Sequence, residues 1–252
     1  MVEDRHRIQT RGSEEQRAAR EVLLDLFKNS PLPPEEMLTN LCLFSRSSVL
    51  AKMLYVDELY RMIVNIPGVI MEFGVWWGQN LVLFESMRAI YEPYNYARRV
   101  VGFDTFAGYD SITDKDGDSE LVAKGAYSVS EGYEQYLARL LDYHERENTM
   151  GHIKKYELVK GDVTITAGQY FERHPETIVA LAYFDLQLYE PTKKCLEAIK
   201  PHLTRGSVIA LDEINCREFP GETLALKEVW RLDELKIMRS RYLPDRSYII
   251  FD

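Results

Sequence analysis

Residues 69–80 read VIMEFGVWWGQN. Val69, Ile70 and Met71 form an apolar run, Glu72 and Phe73 close it, Gly74 and Gly78 bracket a tight turn, and a helical pattern starts at Gln79. That order predicts a buried strand, a glycine turn and a helix. The glycines let backbone approach a ligand, and the start of the helix offers unpaired N–H groups. Glu72 would repel a diphosphate there, but it can accept hydrogen bonds from a cationic group. Taken alone, the stretch is equally consistent with a plain strand–helix corner. The rest of the chain has to decide.

Toward the N-terminus the pattern is helical. Residues 1–12 are polar and expected to fray. Ser13 and Gln16 make a capping-box start for a helix over Ser13–Lys28, with Val22, Leu23, Leu26 and Phe27 on one stripe. Pro31, Pro33 and Pro34 break it; Pro34–Phe44 and Ser48–Ile66 are further helical patterns, ended by Pro67-Gly68. Residues 1–66 therefore read as a helical extension, suited to cap a site or to build an oligomer interface. Residues 67–252 read as the main domain.

Toward the C-terminus strands alternate with helices. RVVGFD (Arg99–Asp104), Lys155–Val159, IVALAYFD (Ile178–Asp185) and SVIALD (Ser207–Asp212) are buried strand patterns. Leu81–Tyr91, about Glu131–Glu147, Ala167–Arg173, Pro191–Leu203 and Thr223–Leu232 are helical. Leu235–Leu243 and Ser247–Phe251 around Pro244-Asp245 suggest a final antiparallel hairpin. The expectation is an α/β fold with a mostly parallel seven-stranded sheet, helices on both faces and an antiparallel hairpin at the end. Residues 105–150 are a long irregular insert, a length uncommon unless functional, and are expected to act as a lid. Within it DKDGDSE (114–120) lacks the calcium-loop pattern and reads as a solvated loop.

The bulk numbers narrow the function. At 252 residues and 46% hydrophobic the chain can bury a large core, and its net charge of −9 argues against a nucleic-acid or anionic-membrane surface. No apolar run approaches the ~18 residues of a membrane span, and the first residues have no apolar signal segment. Cys42, Cys195 and Cys216 lack CxxC spacing, which suggests buried free thiols in a reducing cytoplasm.

Four acids directly follow apolar strands: Asp104, Asp162, Asp185 and Asp212. In doubly wound sheets ligands bind beyond these strand ends, although any one such acid can simply cap the next helix. Asp104 suits the hydroxyls of a ribose, in NAD and S-adenosylmethionine alike. GVWWG is not the pyrophosphate fingerprint GxGxxG, which favours S-adenosylmethionine. Asp162 can then accept the adenine amine, and Glu72 can face the methionine amino group. If the first, fourth and fifth strands are neighbours, Asp185 and the pair Asp212-Glu213 end side by side. Carboxylates clustered without Lys or Arg raise one another's pKa or bind a cation, and oxygen ligands suit Mg²⁺.

These residues resemble the macrocin (TylF-type) sugar O-methyltransferases of antibiotic and enediyne biosynthesis, from about Val69 to the C-terminus. EFGVWWG resembles the family's cofactor turn, GFDTFAG its second-strand motif, FDLQLYEPT its Asp-x-x-x-Tyr-Glu-Ser-Thr segment and VIALDEIN its metal pair. The resemblance implies a Rossmann-like class I S-adenosylmethionine-dependent methyltransferase fold. It implies a cofactor site of Glu72, Gly74, Trp76, Gly78, Asp104, Phe106, Asp162 and Val163, with Mg²⁺ on Asp185, Asp212 and Glu213. Glu213 and Gln187 stand where the family has acids of the Asp type and an acid. The implied acceptor is a TDP-rhamnose-type deoxysugar at its 3-hydroxyl, as a nucleotide sugar or a finished glycoside, and a homo-oligomer is expected.

A sugar hydroxyl is a poor nucleophile, so a cation or a base must activate it. Asp185 is the candidate base and His144, in the insert, the competing one. Tyr109, Tyr127, Tyr133 and Tyr136 are candidates to stack on a nucleobase or sugar, or simply to pack. An NAD-linked oxidoreductase and a non-catalytic Rossmann-like interaction subunit are the alternatives.

Overall fold

The computed structural model describes residues 12–119 and 121–251, so the fraying expected at residues 1–12 lies, but for Gly12, outside the described residues. Strand β1 (Val69–Phe73) is buried along its whole length. Strands β2 (Val100–Asp104), β3 (Tyr156–Lys160), β4 (Val179–Phe184) and β5 (Leu203–Leu211) run parallel to it. Strands β6 (Ile237–Arg239) and β7 (Ser247–Ile250) add the antiparallel pair, giving the order β3-β2-β1-β4-β5-β7-β6. The expected neighbourhood of the first, fourth and fifth strands is present. The order reverses between β1 and β4, so ligands are directed to the carboxyl ends of those two strands.

Both faces of the sheet are covered, which is why its strands read as continuous apolar runs. Val69, Met71 and Phe73 face one core with α6 (Val163–Arg173), α7 (Tyr189–Ile199) and α8 (Gly221–Val229). Ile70 faces the other, with α3 (Ser47–Ile63), α4 (Gln79–Tyr91) and α5 (Tyr133–Glu147). The capping box of α1 (Glu14–Lys28) forms as the spacing predicts: Gln16 N–H donates to Ser13 Oγ at 3.2 Å and Ser13 N–H to Gln16 Oε1 at 3.0 Å. The pattern over Pro34–Phe44 splits into α2 (Pro34–Thr39) and a 3₁₀ turn, Leu41–Phe44. Neither α1 nor α2 buries a residue.

Two expectations need correction. The 114–120 loop is not wholly solvated. Asp116 is buried, its Oδ1 accepts the Tyr189 N–H at the start of α7 at 2.5 Å, and its Oδ2 accepts the Thr113 N–H and hydroxyl. A capping acid pinned between the insert and α7 has no exposure to lose, which the local charge run hides. Of the three free thiols, Cys195 is buried but Cys42 is exposed, on the 3₁₀ turn that no core covers. Among the described residues no helix is long and apolar enough to cross a membrane.

Candidate active site

The β1 turn is shaped by close approach. Gly74 has φ +91°, and a Cβ there would lie 2.2 Å from the carbonyl oxygen of Asp185. Only glycine lets the turn sit against the end of β4. Gly78, at φ +77°, leaves room for Leu137 of α5, whose Cδ1 would be 2.4 Å from an added Cβ. Thus the insert helix packs directly on the turn.

Asp104 knits the turn to the next loop. Its Oδ2 accepts the Val75 and Trp76 N–H groups at 2.7 and 2.8 Å, and its Oδ1 accepts the Phe106 N–H at 2.6 Å. Burial raises its pKa, against the pull of those three bonds. An ionised carboxylate has about four acceptor sites, so the backbone takes most of them. Asp162 takes the capping role. Its Oδ1 accepts the Thr164 N–H at 2.9 Å and hydroxyl at 2.7 Å at the start of α6.

A cavity of about 1000 Å³ opens at these strand ends, lined by Gly74, Trp76, Asp104, Asp162, Val163, Asp185 and Glu213 among others. Of the site and stacking candidates the sequence singled out, Glu72, Gly78, Phe106, Tyr133, Tyr136, His144 and Asp212 do not line it. Glu72 lies beneath the wall. Asn80 Nδ2 donates to its Oε1 at 2.8 Å, its Oε2 has no partner, and burial drives its pKa well up. Phe106 is a core residue whose amide serves Asp104. His144 lies on α5 with its ring against Tyr143, away from the cavity, so the geometry does not support it as the base. A helix His three residues from the buried Leu141 is placed by packing, and nothing local in the sequence distinguishes that from a catalytic role.

At the acid end, Phe184 of β4 pairs with Leu211 of β5, so Asp185 and Asp212 emerge side by side. The expectation that no Lys or Arg offsets them is wrong. Arg246, in the turn before β7, places Nη2 2.7 Å from Asp212 Oδ2 and Nη1 3.8 Å from Glu213 Oε1; Nη1 also donates to the Asp212 carbonyl at 3.0 Å. The Asp212 contact is an ion pair without hydrogen-bond alignment, so both Oδ atoms lack a hydrogen-bond partner. Burial pushes Asp212 upward and Arg246 pulls it back. Among the described residues no three His, Cys, Asp or Glu side chains are grouped to hold a metal ion. As arranged, Asp185, Asp212 and Glu213 do not fit Mg²⁺, because a guanidinium already stands among them. Fully buried Glu222 ties the two acid loops together, accepting the Gln187 N–H at 3.1 Å and the Glu213 N–H at 3.0 Å; burial pushes its pKa up to about 8.

Sequence reasoning missed Arg246, Glu222 and Lys52. Lys52 comes from α3 and lines the cavity, and its charge acts on both Glu72 and Asp212. Its one sequence signal is a lysine inside an otherwise apolar helical stripe.

The sequence profile of the family described as Macrocin-O-methyltransferase (TylF) matches residues 53–229, from α3 through α8. The chain belongs to this TylF family. It is an S-adenosyl-L-methionine-dependent sugar O-methyltransferase. Among solved structures, this TylF-family chain is similar to CalS11, calicheamicin methyltransferase, with 43% identity over 96% of this chain and 94% of that one and a TM-score of 0.93. The apo structure of CalS11, described as a TDP-rhamnose 3'-O-methyltransferase of calicheamicin biosynthesis, is 42% identical over 96% of both chains, with a TM-score of 0.84. The O-methyltransferase NovP, 18% identical over 80% of this chain and 79% of that one with a TM-score of 0.60, shares the fold. No curated protein matches the chain. The cavity fits the family's cofactor: its size accommodates a nucleoside with an amino-acid tail, and Nε1 of Trp76, in its lining, is buried without a partner.

Proposed function

We propose that this family member methylates the 3-hydroxyl of a TDP-rhamnose-type sugar, with Asp185 as the base. The acceptor rests on 42–43% identity to CalS11 over nearly the whole chain. The base rests on one observation: Asp185 opens on the cavity while its backbone carbonyl packs against the Gly74 turn.

S-adenosylmethionine, when bound, supplies a methyl group on a sulfonium centre. In this reading Gly74, Trp76, Asp104, Asp162 and Val163 hold the cofactor in the cavity. Gly78, Phe106 and the buried Glu72 shape the turn from behind the cavity wall. Asp185 orients the acceptor hydroxyl and takes its proton as the oxygen attacks. Holding both reactants near contact contributes several kcal/mol to the rate. No step passes through a divalent cation, because Arg246 engages Asp212 and Glu213, two of the three acids that would hold one. The insert 105–150 closes over the acceptor, and α1 and α2 supply contacts between subunits of a homo-oligomer.

A panel of TDP-deoxysugars with ¹³C-methyl-labelled cofactor tests this. TDP-rhamnose is expected to be the fastest acceptor, with the label on its 3-oxygen. No sugar methylated, with NAD binding as tightly as S-adenosylhomocysteine, would sink the proposal.

A further inference from the structure

Tyr109 lines the cavity, and its hydroxyl is buried without a hydrogen-bond partner. A buried polar group left unmade costs about 1–3 kcal/mol, so such a group in a ligand cavity is a mark of what the ligand brings. The ring is held firmly. Tyr109 N–H donates to the Ala126 carbonyl at 3.0 Å, and its own carbonyl accepts the Gly125 N–H at 2.8 Å. Before it, Gly108 has φ +80°, and an added Cβ would meet the Ala126 carbonyl oxygen at 2.3 Å. The insert thus closes on itself at this point and leaves no room for the backbone to shift.

The ring packs on Tyr127, with centroids 5.2 Å apart, and Tyr127 meets Trp76 of the cofactor turn edge-on at 6.0 Å. This makes a continuous aromatic wall from the turn to Tyr109. The charges that act on Tyr109 from the facing loops are Asp185, Glu222 and Glu213. Burial and these acids raise its pKa well above the ordinary phenol value, so it stays an O–H donor. Tyr109 and Asp185 both line the cavity, and no described protein group bonds the Tyr109 hydroxyl, so an oxygen lone pair of a bound acceptor can satisfy it. If Asp185 handles the hydroxyl that reacts, the Tyr109 donor is left for a neighbouring one.

We propose that Tyr109 is a specificity residue that reads a vicinal diol, its Oη–H donating to the acceptor hydroxyl next to the one that is methylated. The proposal rests on the sugar O-methyltransferase reading above. A site built to hydrogen-bond a hydroxyl rejects the analogue that lacks it, because the protein group is then left unpaired.

The test compares TDP-rhamnose with its 2-deoxy and 4-deoxy counterparts on the wild type and on Tyr109→Phe. The wild type is expected to favour TDP-rhamnose over one deoxy analogue by at least about 10-fold in kcat/KM. Tyr109→Phe should erase that preference, keep S-adenosylhomocysteine affinity and not lower Tm, since the lost hydroxyl has no partner in the free protein. An unchanged preference in the variant overturns the proposal while leaving the methyltransferase reading intact. A fall in Tm or in cofactor affinity also overturns it, because the hydroxyl would then serve the fold or the cofactor. Failure of the wild type to methylate any of the three overturns the acceptor reading and the proposal with it.

Discussion

Helix α1 and strand β1 both carry clustered apolar residues, and the molecule uses them in opposite ways. All five residues of β1 are buried between two helical layers, and its end makes the cofactor turn. Helix α1 buries none, and Val22, Leu24 and Leu26 are 60%, 51% and 58% exposed. A helix of 15 residues is marginal alone in water, and the described residues bury none of its side chains. The sheet region buries its apolar residues within the chain, whereas α1 and α2 bury none of theirs.

The comparison breaks first at Arg246 if the sheet region is not self-contained. Arg246→Ala leaves Asp212 buried without its counter-ion, which is expected to cost about 3 kcal/mol. Denaturant titration measures this, and added Mg²⁺ should recover part of the loss, since the freed carboxylates suit a hard cation. Stability that is unchanged would mean Arg246 does not hold the acid end together.

The next effect falls on chemistry alone. Asp185→Asn should lower turnover about 100-fold with Tm and S-adenosylhomocysteine affinity kept. Loss of Tm with full turnover per folded molecule would make Asp185 a brace instead.

A smaller effect concerns Glu222. Its folded pKa of about 8 lies above the ordinary 4.5, so the folded state holds the proton more tightly. Its contribution is fully present below the unfolded pKa and is lost as pH rises through about 8. Unfolding free energy of the wild type should therefore slope downward from about pH 5 to about pH 8, and Glu222→Gln should flatten that slope. Equal slopes would show that the carboxyl titrates elsewhere.

The smallest effect on the folded subunit comes from the N-terminal helices. Leu24→Ser with Leu38→Ser should change unfolding free energy by under about 0.5 kcal/mol, as for exposed sites. The same pair should shift the oligomeric state seen by light scattering. A large loss of stability with no change of mass would put these helices back on their own subunit.

The strands were readable because burial on both faces turns them into unbroken apolar runs, as in IVALAYFD. The acids were readable by position, since each closes such a run. What they bond was not. Asp104 meets the amides of Val75 and Trp76, which lie across the β1 turn in a separate segment of chain. Arg246 sits 34 residues from Asp212, in a turn whose charged neighbours make it look like ordinary surface. The bland reading of Asp162 as a helix cap is present alongside its place in the cavity wall, so the two roles were never exclusive.

Asp116 gives the insert a built-in clock. Its carboxylate covers the Tyr189 amide at the start of α7, and that amide belongs to an element packed in the core. If the insert works as the proposed lid, lifting it breaks this hydrogen bond while α7 stays packed in the core. The deuterium uptake rate of one backbone N–H, Tyr189, would then count the openings of that lid separately from global unfolding.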